Sequence, residues 1–325
     1  MNTPQPATGS LFQDQLAPAR EICAIGGGKG GTGKTFLAAG LGIALAKMGK
    51  RVILVDADLG CANLHTALGL PYPEQTLSDF MKEKVKRLSD VIVDSGIENL
   101  RLISGAQDFL EIANPRYKEK MRLIRQVQTL DVDYIILDLG AGTSFTILDF
   151  FLSAGNGLLA VVPEPGSIEN VYRFIKSVYF RKFKKVARDP EMRALITQAM
   201  DQKNDLGLRT PHDLVSHIKT INPELGARLT ESLRAIRPKL VVNQVRSKDD
   251  IALGFSMRSS CSKYFGIDVE YLGYIEFDDT VRLAARHKRP LMQEYPYCSA
   301  ARCVEKVAQS LVKKEQLNID FILRS

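Results

Sequence analysis

Short apolar runs rich in Ile, Val and Leu recur along the chain and alternate with stretches of helical periodicity, the pattern of parallel strands buried on both faces by crossover helices. The runs are Glu21–Ile25, Arg51–Asp56, Leu100–Ser104, Tyr134–Asp138, Gly157–Val162, Lys239–Asn243 and Val269–Ile275. Several end in Gly, Asp or Asn, at the edge where a parallel sheet presents its ligand-binding groups. They predict a three-layer α/β fold with a mostly parallel sheet of about seven or eight strands flanked by helices.

The interval between the fifth and sixth runs is too long for one crossover helix. It contains the helix starts Asp189-Pro190-Glu191, Thr210-Pro211 and Asn222-Pro223-Glu224, each a capping side chain followed by Pro at the first helical position. A helical insertion is therefore expected at about 187–237, inside a domain over 21–316, with a loose tail at 1–20 and a C-terminal tail at 317–325. The insertion reads equally well as a cap on the sheet and as a surface for a partner.

Composition narrows the class only a little. A chain of 325 residues with 45% hydrophobic and 25% charged content is ordinary globular protein, not a disordered, collagen-like or disulfide-stapled one. The net charge of +7 permits an acidic partner such as DNA or anionic lipid without demanding it. Cys23, Cys61, Cys261, Cys298 and Cys303 form no C-x-x-C pair, which argues against a disulfide framework or a zinc or iron–sulfur site and fits a reducing cytoplasm. The first residues lack a secretory pattern, and no uninterrupted apolar run of about 18 residues exists, so membrane contact would be peripheral.

The chemistry is concentrated after the first strand, in Gly26-Gly27-Gly28-Lys29-Gly30-Gly31-Thr32-Gly33-Lys34-Thr35 ahead of the apolar stretch Phe36–Met48. Gly28-x-x-x-x-Gly33-Lys34-Thr35 has the P-loop spacing in the strand–loop–helix setting that the motif requires. Glycines let successive N–H groups of residues 28–36 wrap a phosphate at a helix N-terminus. Lys34 would neutralise the β- and γ-phosphates, and Thr35 would put its hydroxyl on Mg²⁺. Two further strand ends face this loop: Asp56-Ala57-Asp58 and Asp138-Leu139-Gly140-Ala141-Gly142. A carboxylate there can hold Mg²⁺ through water or orient an attacking water.

The second loop lysine, Lys29, resembles the early lysine of the deviant Walker A motif of the MinD/ParA ATPases. That resemblance implies ATP and Mg²⁺ as ligands and a face-to-face homodimer in which Lys29 reaches the nucleotide of the other copy. It assigns catalytic roles to Lys29, Lys34 and Asp58, with Asp58 positioning the hydrolytic water. It makes Asp138 the Walker B residue, holding Mg²⁺ through water, with Asp56 supporting near the metal. It also places Asn243, in Leu240-Val241-Val242-Asn243-Gln244, where the family meets adenine with a side-chain amide. The nucleotide-binding residues expected are thus Gly28, Lys29, Gly30, Gly31, Thr32, Gly33, Lys34, Thr35, Phe36 and Asn243. The stretch Tyr274–Asp278 resembles the family loop around the base and equally suits a turn capped by Asp278 or Asp279.

Asp56–Leu64 and Val162–Tyr172 are similar to the MinD/FlhG branch, which places division septa or sets flagellar number. The resemblance implies an ATPase switch with a protein activator. A ParA-like partition ATPase on non-specific DNA is the alternative, and an ATP-dependent amidating synthetase a remoter one. Two effector surfaces suggest themselves. The end of the chain pairs Lys313-Lys314 with apolar residues, as a membrane helix would, yet Leu317, Ile319 and Phe321 have strand-like spacing. The stretch Val171–Arg188 carries seven cations and no acid among aromatics, which suits either nucleic-acid phosphates or a core face backed by solvated lysines.

Overall fold

The apolar runs become strands because their alternate side chains bury on opposite faces of one sheet. In chain order the strands are β1 (Glu21–Gly26), β2 (Val52–Ala57), β3 (Ile92–Asp94), β4 (Leu100–Ile103), β5 (Tyr134–Leu139), β6 (Asn156–Val161), β7 (Lys239–Val245) and β8 (Glu270–Glu276). In β2, for example, Ile53 and Val55 join one core while Val52 and Leu54 join the other. The structure, a computed structural model, describes residues 20–105, 115–201 and 205–318. The tail expected over 1–20, apart from Arg20, lies outside these residues, as does the C-terminal one beyond Asn318.

The strand order is β3-β4-β2-β5-β1-β6-β7-β8, parallel throughout except for β3 against β4. β3 is an addition to the runs read from the sequence: it is three residues long and only partly buried, so its apolar signal is short. Because β1 is followed across the sheet by β5 and β2 on one side and β6 on the other, the loop leaving β1 sits at a topological switch point.

One face is covered by α1 (Lys34–Lys47), α2 (Leu64–Ala67) and, from the end of the chain, Asp279–His287, Leu291–Glu294 and Ser299–Lys313. α1 is buried from Leu37 to Ala46, lying between the sheet and Ser299–Lys313, which is why it is apolar all round. The other face carries α3 (Leu77–Met81), α4 (Tyr117–Val127), α5 (Phe145–Ser153), α6 (Pro165–Val186), the insertion, and Lys248–Ser260.

The insertion contains α7 (Pro190–Met200), α8 (Pro211–Ile221) and α9 (Pro223–Arg234). Each begins at a proline read from the sequence, and Asp189, Thr210 and Asn222 accept backbone N–H bonds from Glu191, Asp213 and Leu225 at 2.8, 3.1 and 2.9 Å. Ile196, Leu214, Ile218, Leu229 and Leu233 share one core with Phe180 and Phe183 of α6. The remaining helices are α10 (Lys248–Ser260), α11 (Asp279–His287), α12 (Leu291–Glu294) and α13 (Ser299–Lys313). Beyond α13 the Leu317 N–H donates to the Tyr271 carbonyl of the edge strand β8 at 2.8 Å. Among the described residues no helix is long and apolar enough to cross a membrane.

α6 settles which face of the basic stretch is which: Phe174, Tyr179, Phe180 and Phe183 are core. Three of its cations meet acids of this chain, Arg173 on Glu169 and both Arg181 and Lys185 on Asp149 of α5. The buried Asp149 carboxylate accepts from Arg181 Nε and Nη2 at 2.9 and 2.8 Å, from Lys185 at 2.7 Å and from Lys120. Burial alone would raise its pKa, but Arg181, Lys120 and Lys185 together hold it well below the usual carboxylate range. Its folded pKa being depressed, the stabilisation is present above about pH 3.8 and is lost as pH falls through the folded value. Asp149→Asn is expected to lower stability by about 3–5 kcal/mol at pH 7, because it leaves the buried Lys120 ammonium facing a neutral amide. Urea unfolding at pH 7 checks this; an unchanged midpoint would show that the cluster contributes nothing, and the gap between variant and parent should narrow at pH 3.

Candidate nucleotide site

Two glycines of the loop after β1 are there for space. An added Cβ at Gly33, where φ is +87°, would stand 2.3 Å from the Asn243 amide nitrogen, and one at Gly28 would stand 2.3 Å from the Asn170 carbonyl oxygen. The stripped backbone of Gly28-Lys29-Gly30-Gly31-Thr32-Gly33 can therefore thread between β7 and α6 to the first turn of α1, opened by Lys34 and Thr35. Thr32 is buried with its hydroxyl unpartnered. Lys34 is 8% exposed and its ammonium has the Lys29 carbonyl at 3.2 Å. Burial lowers the Lys34 pKa, against the opposing pull of Asp138 and Asp58. A buried orphan hydroxyl beside a buried ammonium with one weak acceptor is an arrangement that a phosphate completes.

Asp56 and Asp138 stand in register on the adjacent strands β2 and β5. Neither oxygen of Asp138 has a hydrogen-bond partner. Burial raises Asp138 to about 6, while the Thr35 hydroxyl and Lys34 ammonium beside it work the other way. Asp56 is pushed up to about 7 by burial first and then by the charge of Asp138. Two adjacent buried carboxylates with one ammonium, Lys34, beside them suit a divalent cation. Among the described residues no three His, Cys, Asp or Glu side chains form a metal cage. Mg²⁺ needs none, since it retains water and takes substrate phosphate oxygens. The Thr35 hydroxyl and the orphan Asp138 carboxylate fit as its protein contacts. Asp56 is otherwise engaged: it accepts the Leu64 N–H at 2.9 Å and the Asp58 N–H at 3.3 Å, bracing the loop after β2 and leaving it at most a supporting place near the metal.

Asp58 Oδ1 accepts from Cys61 N–H at 3.1 Å and Gly60 N–H at 3.3 Å. An added Cβ at Gly140 would come within 2.9 Å of this oxygen, so the loop after β2 touches the turn after β5. Lys29 lies at the rim, its side chain 45% exposed, with its ammonium 3.2 Å from Glu164, the residue that precedes α6. Nothing in the sequence links that pair, whose members are 135 positions apart. Exposed pairs of this kind contribute about 0–1 kcal/mol. Glu164→Gln is therefore expected to change stability by less than about 1 kcal/mol, measured by urea unfolding at pH 7; a larger loss would mean that the pair anchors the loop.

The Asn243 amide is tied to the loop, donating to the Thr32 carbonyl at 2.9 Å and accepting the Gln244 N–H at 2.9 Å. One N–H and one lone pair remain, the complement that an adenine edge asks for. Beside it is a cavity of about 420 Å³ lined by Gly33, Phe36, Asn243, Gln244, Phe277 and Arg282 among others. The Arg246 guanidinium lies 3.5 Å from the Phe277 ring centre, stiffening that wall. Asp278 also lines the cavity and, as a cap, accepts Thr280 N–H at 2.9 Å and Ser299 N–H at 3.0 Å, so the stretch is a capped turn that forms one wall of the cavity. The structure thus brings every residue singled out from the sequence to one sheet edge, and adds Glu164, Arg246, Phe277 and Arg282.

Residues 23–291 match the CobQ/CobB/MinD/ParA nucleotide binding domain. The chain belongs to this family. Members of the MinD/ParA group are P-loop ATPases. The antiactivator FleN of Pseudomonas aeruginosa is 27% identical over 293 residues, covering 90% of this chain and 86% of FleN. The septum site-determining protein MinD of Helicobacter pylori is 32% identical over 155 residues, 47% of this chain and 57% of that protein. Among solved structures, MinD complexed with Mg-ADP from Pyrococcus horikoshii superposes with a TM-score of 0.63 at 23% identity, covering 91% of this chain and 97% of that one. A plasmid partition protein from Borrelia burgdorferi bound to AMPPNP gives 0.60 at 15% identity, covering 91% and 99%. These two structural likenesses carry the fold: an eight-stranded, mostly parallel sheet flanked by helices.

Proposed function

We propose that this chain is an ATP-dependent dimerising switch: it binds ATP with Mg²⁺, pairs with a second copy, and hydrolyses ATP to end the pairing. Its output is control of the position or number of a cellular structure such as a flagellum or a division site. The observation that carries this reading is the second lysine, Lys29, at the rim of a complete phosphate loop, its ammonium held among the described residues by an exposed ion pair with Glu164.

In this reading the N–H groups from Gly30 to Thr35 and the Lys34 ammonium hold the phosphates, and the Asn243 amide meets the base. Thr35 and Asp138 would hold Mg²⁺, the latter through water, and the ion would neutralise phosphate charge. Asp58 orients the attacking water from the loop after β2. Lys29 of the second copy stabilises charge developing on the transferred phosphoryl group, as an arginine finger does. Gly140 and Gly142, the latter at φ +95°, give the turn after β5 the freedom to follow the γ-phosphate.

FleN is named an antiactivator and MinD a septum site-determining protein, which supports a regulatory output. The DNA-binding alternative is weakened by α6, where Arg173, Arg181 and Lys185 already face acids of this chain. Sedimentation velocity of the purified chain in ATP, in ADP and without nucleotide tests the core of the proposal. A dimer in ATP alone supports it, and a monomer in all three overturns it. Adding anionic liposomes to the same samples asks whether the surface it cycles on is a peripheral membrane.

A further inference from the structure

α4, α5 and α6 meet at a single buried carboxylate that carries too many cations. Lys120, Arg181 and Lys185 all pair with Asp149 and, among the described residues, with no other acid. One negative charge against these three leaves a positive excess in a place poor in water: the side chains of Asp149, Lys120 and Arg181 are 0, 6 and 18% exposed. Asp149 already accepts from every one of them, so its lone pairs are filled, while Lys185, its side chain 42% exposed, keeps ammonium N–H groups beyond the one that Asp149 accepts. The neighbouring Lys184 feels the same excess: burial first, then the Arg181 charge, lower its pKa.

Two aromatic rings flank the cations. Phe145 is 54% exposed with the Arg181 guanidinium 4.5 Å from its ring centre, and Tyr117 is 66% exposed with the Lys120 ammonium at 5.8 Å. Exposed aromatics next to arginine are the composition of binding hot spots.

We propose that this patch, formed by Tyr117, Lys120, Phe145, Arg181 and Lys185 around Asp149, docks an acidic segment of a partner protein that also bears an aromatic or aliphatic side chain. A partner carboxylate takes up the remaining ammonium donors of the half-exposed Lys185, and its apolar neighbour covers Phe145 and Tyr117. Nucleic acid fits less well. Duplex binding draws on about six to ten phosphate contacts, more than the cations Lys120, Arg181 and Lys185 can make.

The consequence for turnover rests on the switch reading above, although the docking chemistry does not. α5 starts just beyond Gly142, and its Ser144 cap follows the turn that holds Gly140 against Asp58. A carboxylate competing for Arg181 and Lys185 loosens α5 from α6 and with it this turn. Partner binding and nucleotide state are then coupled, each altering the affinity for the other.

The test uses the full chain and a short fluorescent peptide of repeated Glu-Glu-Phe, with Glu-Glu-Ser and Lys-Lys-Phe peptides and a DNA duplex as comparisons. Anisotropy should show binding of the Glu-Glu-Phe peptide only, weakened about tenfold by Lys185→Ala and by Phe145→Ser, and ATP turnover should change when that peptide is added to the parent chain. Both substituted side chains are exposed, and thermal unfolding of each variant confirms that it folds. The proposal is overturned if the Glu-Glu-Phe peptide does not bind, if Glu-Glu-Ser binds equally, or if neither substitution weakens binding. Duplex binding lost in the same variants would assign the patch to nucleic acid and overturn it equally. Peptide binding by a chain that hydrolyses no ATP would sink the switch and leave the docking surface standing; normal hydrolysis without peptide binding would do the reverse.

Discussion

Alanine in place of Lys29 is expected to lower ATP turnover about a thousandfold or more and to abolish the ATP-dependent dimer. Two lysines lie in the loop, and the structure separates them. Lys34 is buried, with its charge balanced by Asp138 and Asp58, so removing it should also damage phosphate binding in a single copy. Lys29 is half exposed and, among the described residues, its side chain pairs only with Glu164, so its loss leaves no buried group without a partner and should leave folding and monomeric nucleotide binding intact. A selective loss of assembly and turnover, with nucleotide affinity retained in a fluorescent-ATP titration, is the signature of a residue that acts on the other copy's nucleotide. A Lys29→Ala protein that stays monomeric and hydrolyses ATP at the parent rate would refute the sandwich arrangement.

Asp58→Ala should do the opposite to assembly: turnover falls by about a hundred- to ten-thousandfold, while the ATP-bound dimer persists and accumulates. Asp58 Oδ1 is occupied by the N–H groups of Gly60 and Cys61, whereas Oδ2 has no hydrogen bond among the described residues and is available to a water. The alanine variant removes both functions, so Asp58→Asn is the informative companion. It keeps an oxygen for the Gly60–Cys61 turn and lacks only the negative charge. Both variants inactive yet dimeric in ATP, by phosphate release and sedimentation, would assign the effect to the carboxylate. An active Asp58→Asn would reduce Asp58 to a turn residue.

Much of this site was readable in advance, and what was readable has a common character. Gly28-x-x-x-x-Gly33-Lys34-Thr35 is a local pattern whose spacing is dictated by a backbone wrapping an anion, so the residues announce themselves. The prolines at 190, 211 and 223 did the same for the insertion, because each sits one residue after its own cap. β3 escaped notice because a three-residue edge strand has almost no period to detect. Glu164, Arg246 and Phe277 were not legible either: nothing in the spacing ties them to the loop, and only the strand order carries α6 and the end of β8 to its rim.

The basic stretch of α6 shows the division most clearly. Its composition leaves both a nucleic-acid face and a core helix open, since periodicity says which residues share a side and not what that side meets. The chain alone determined the strands, the phosphate loop and the carboxylates at two strand ends, because these are properties of neighbouring residues and of strand C-termini. Tertiary structure decided that the aromatics of α6 are core, that Arg181 and Lys185 converge with Lys120 on Asp149, and that Asp56 braces a loop while Asp138 is left without a partner. Charge and burial at a point are sums over segments far apart in sequence, and they exist only once those segments have been packed together.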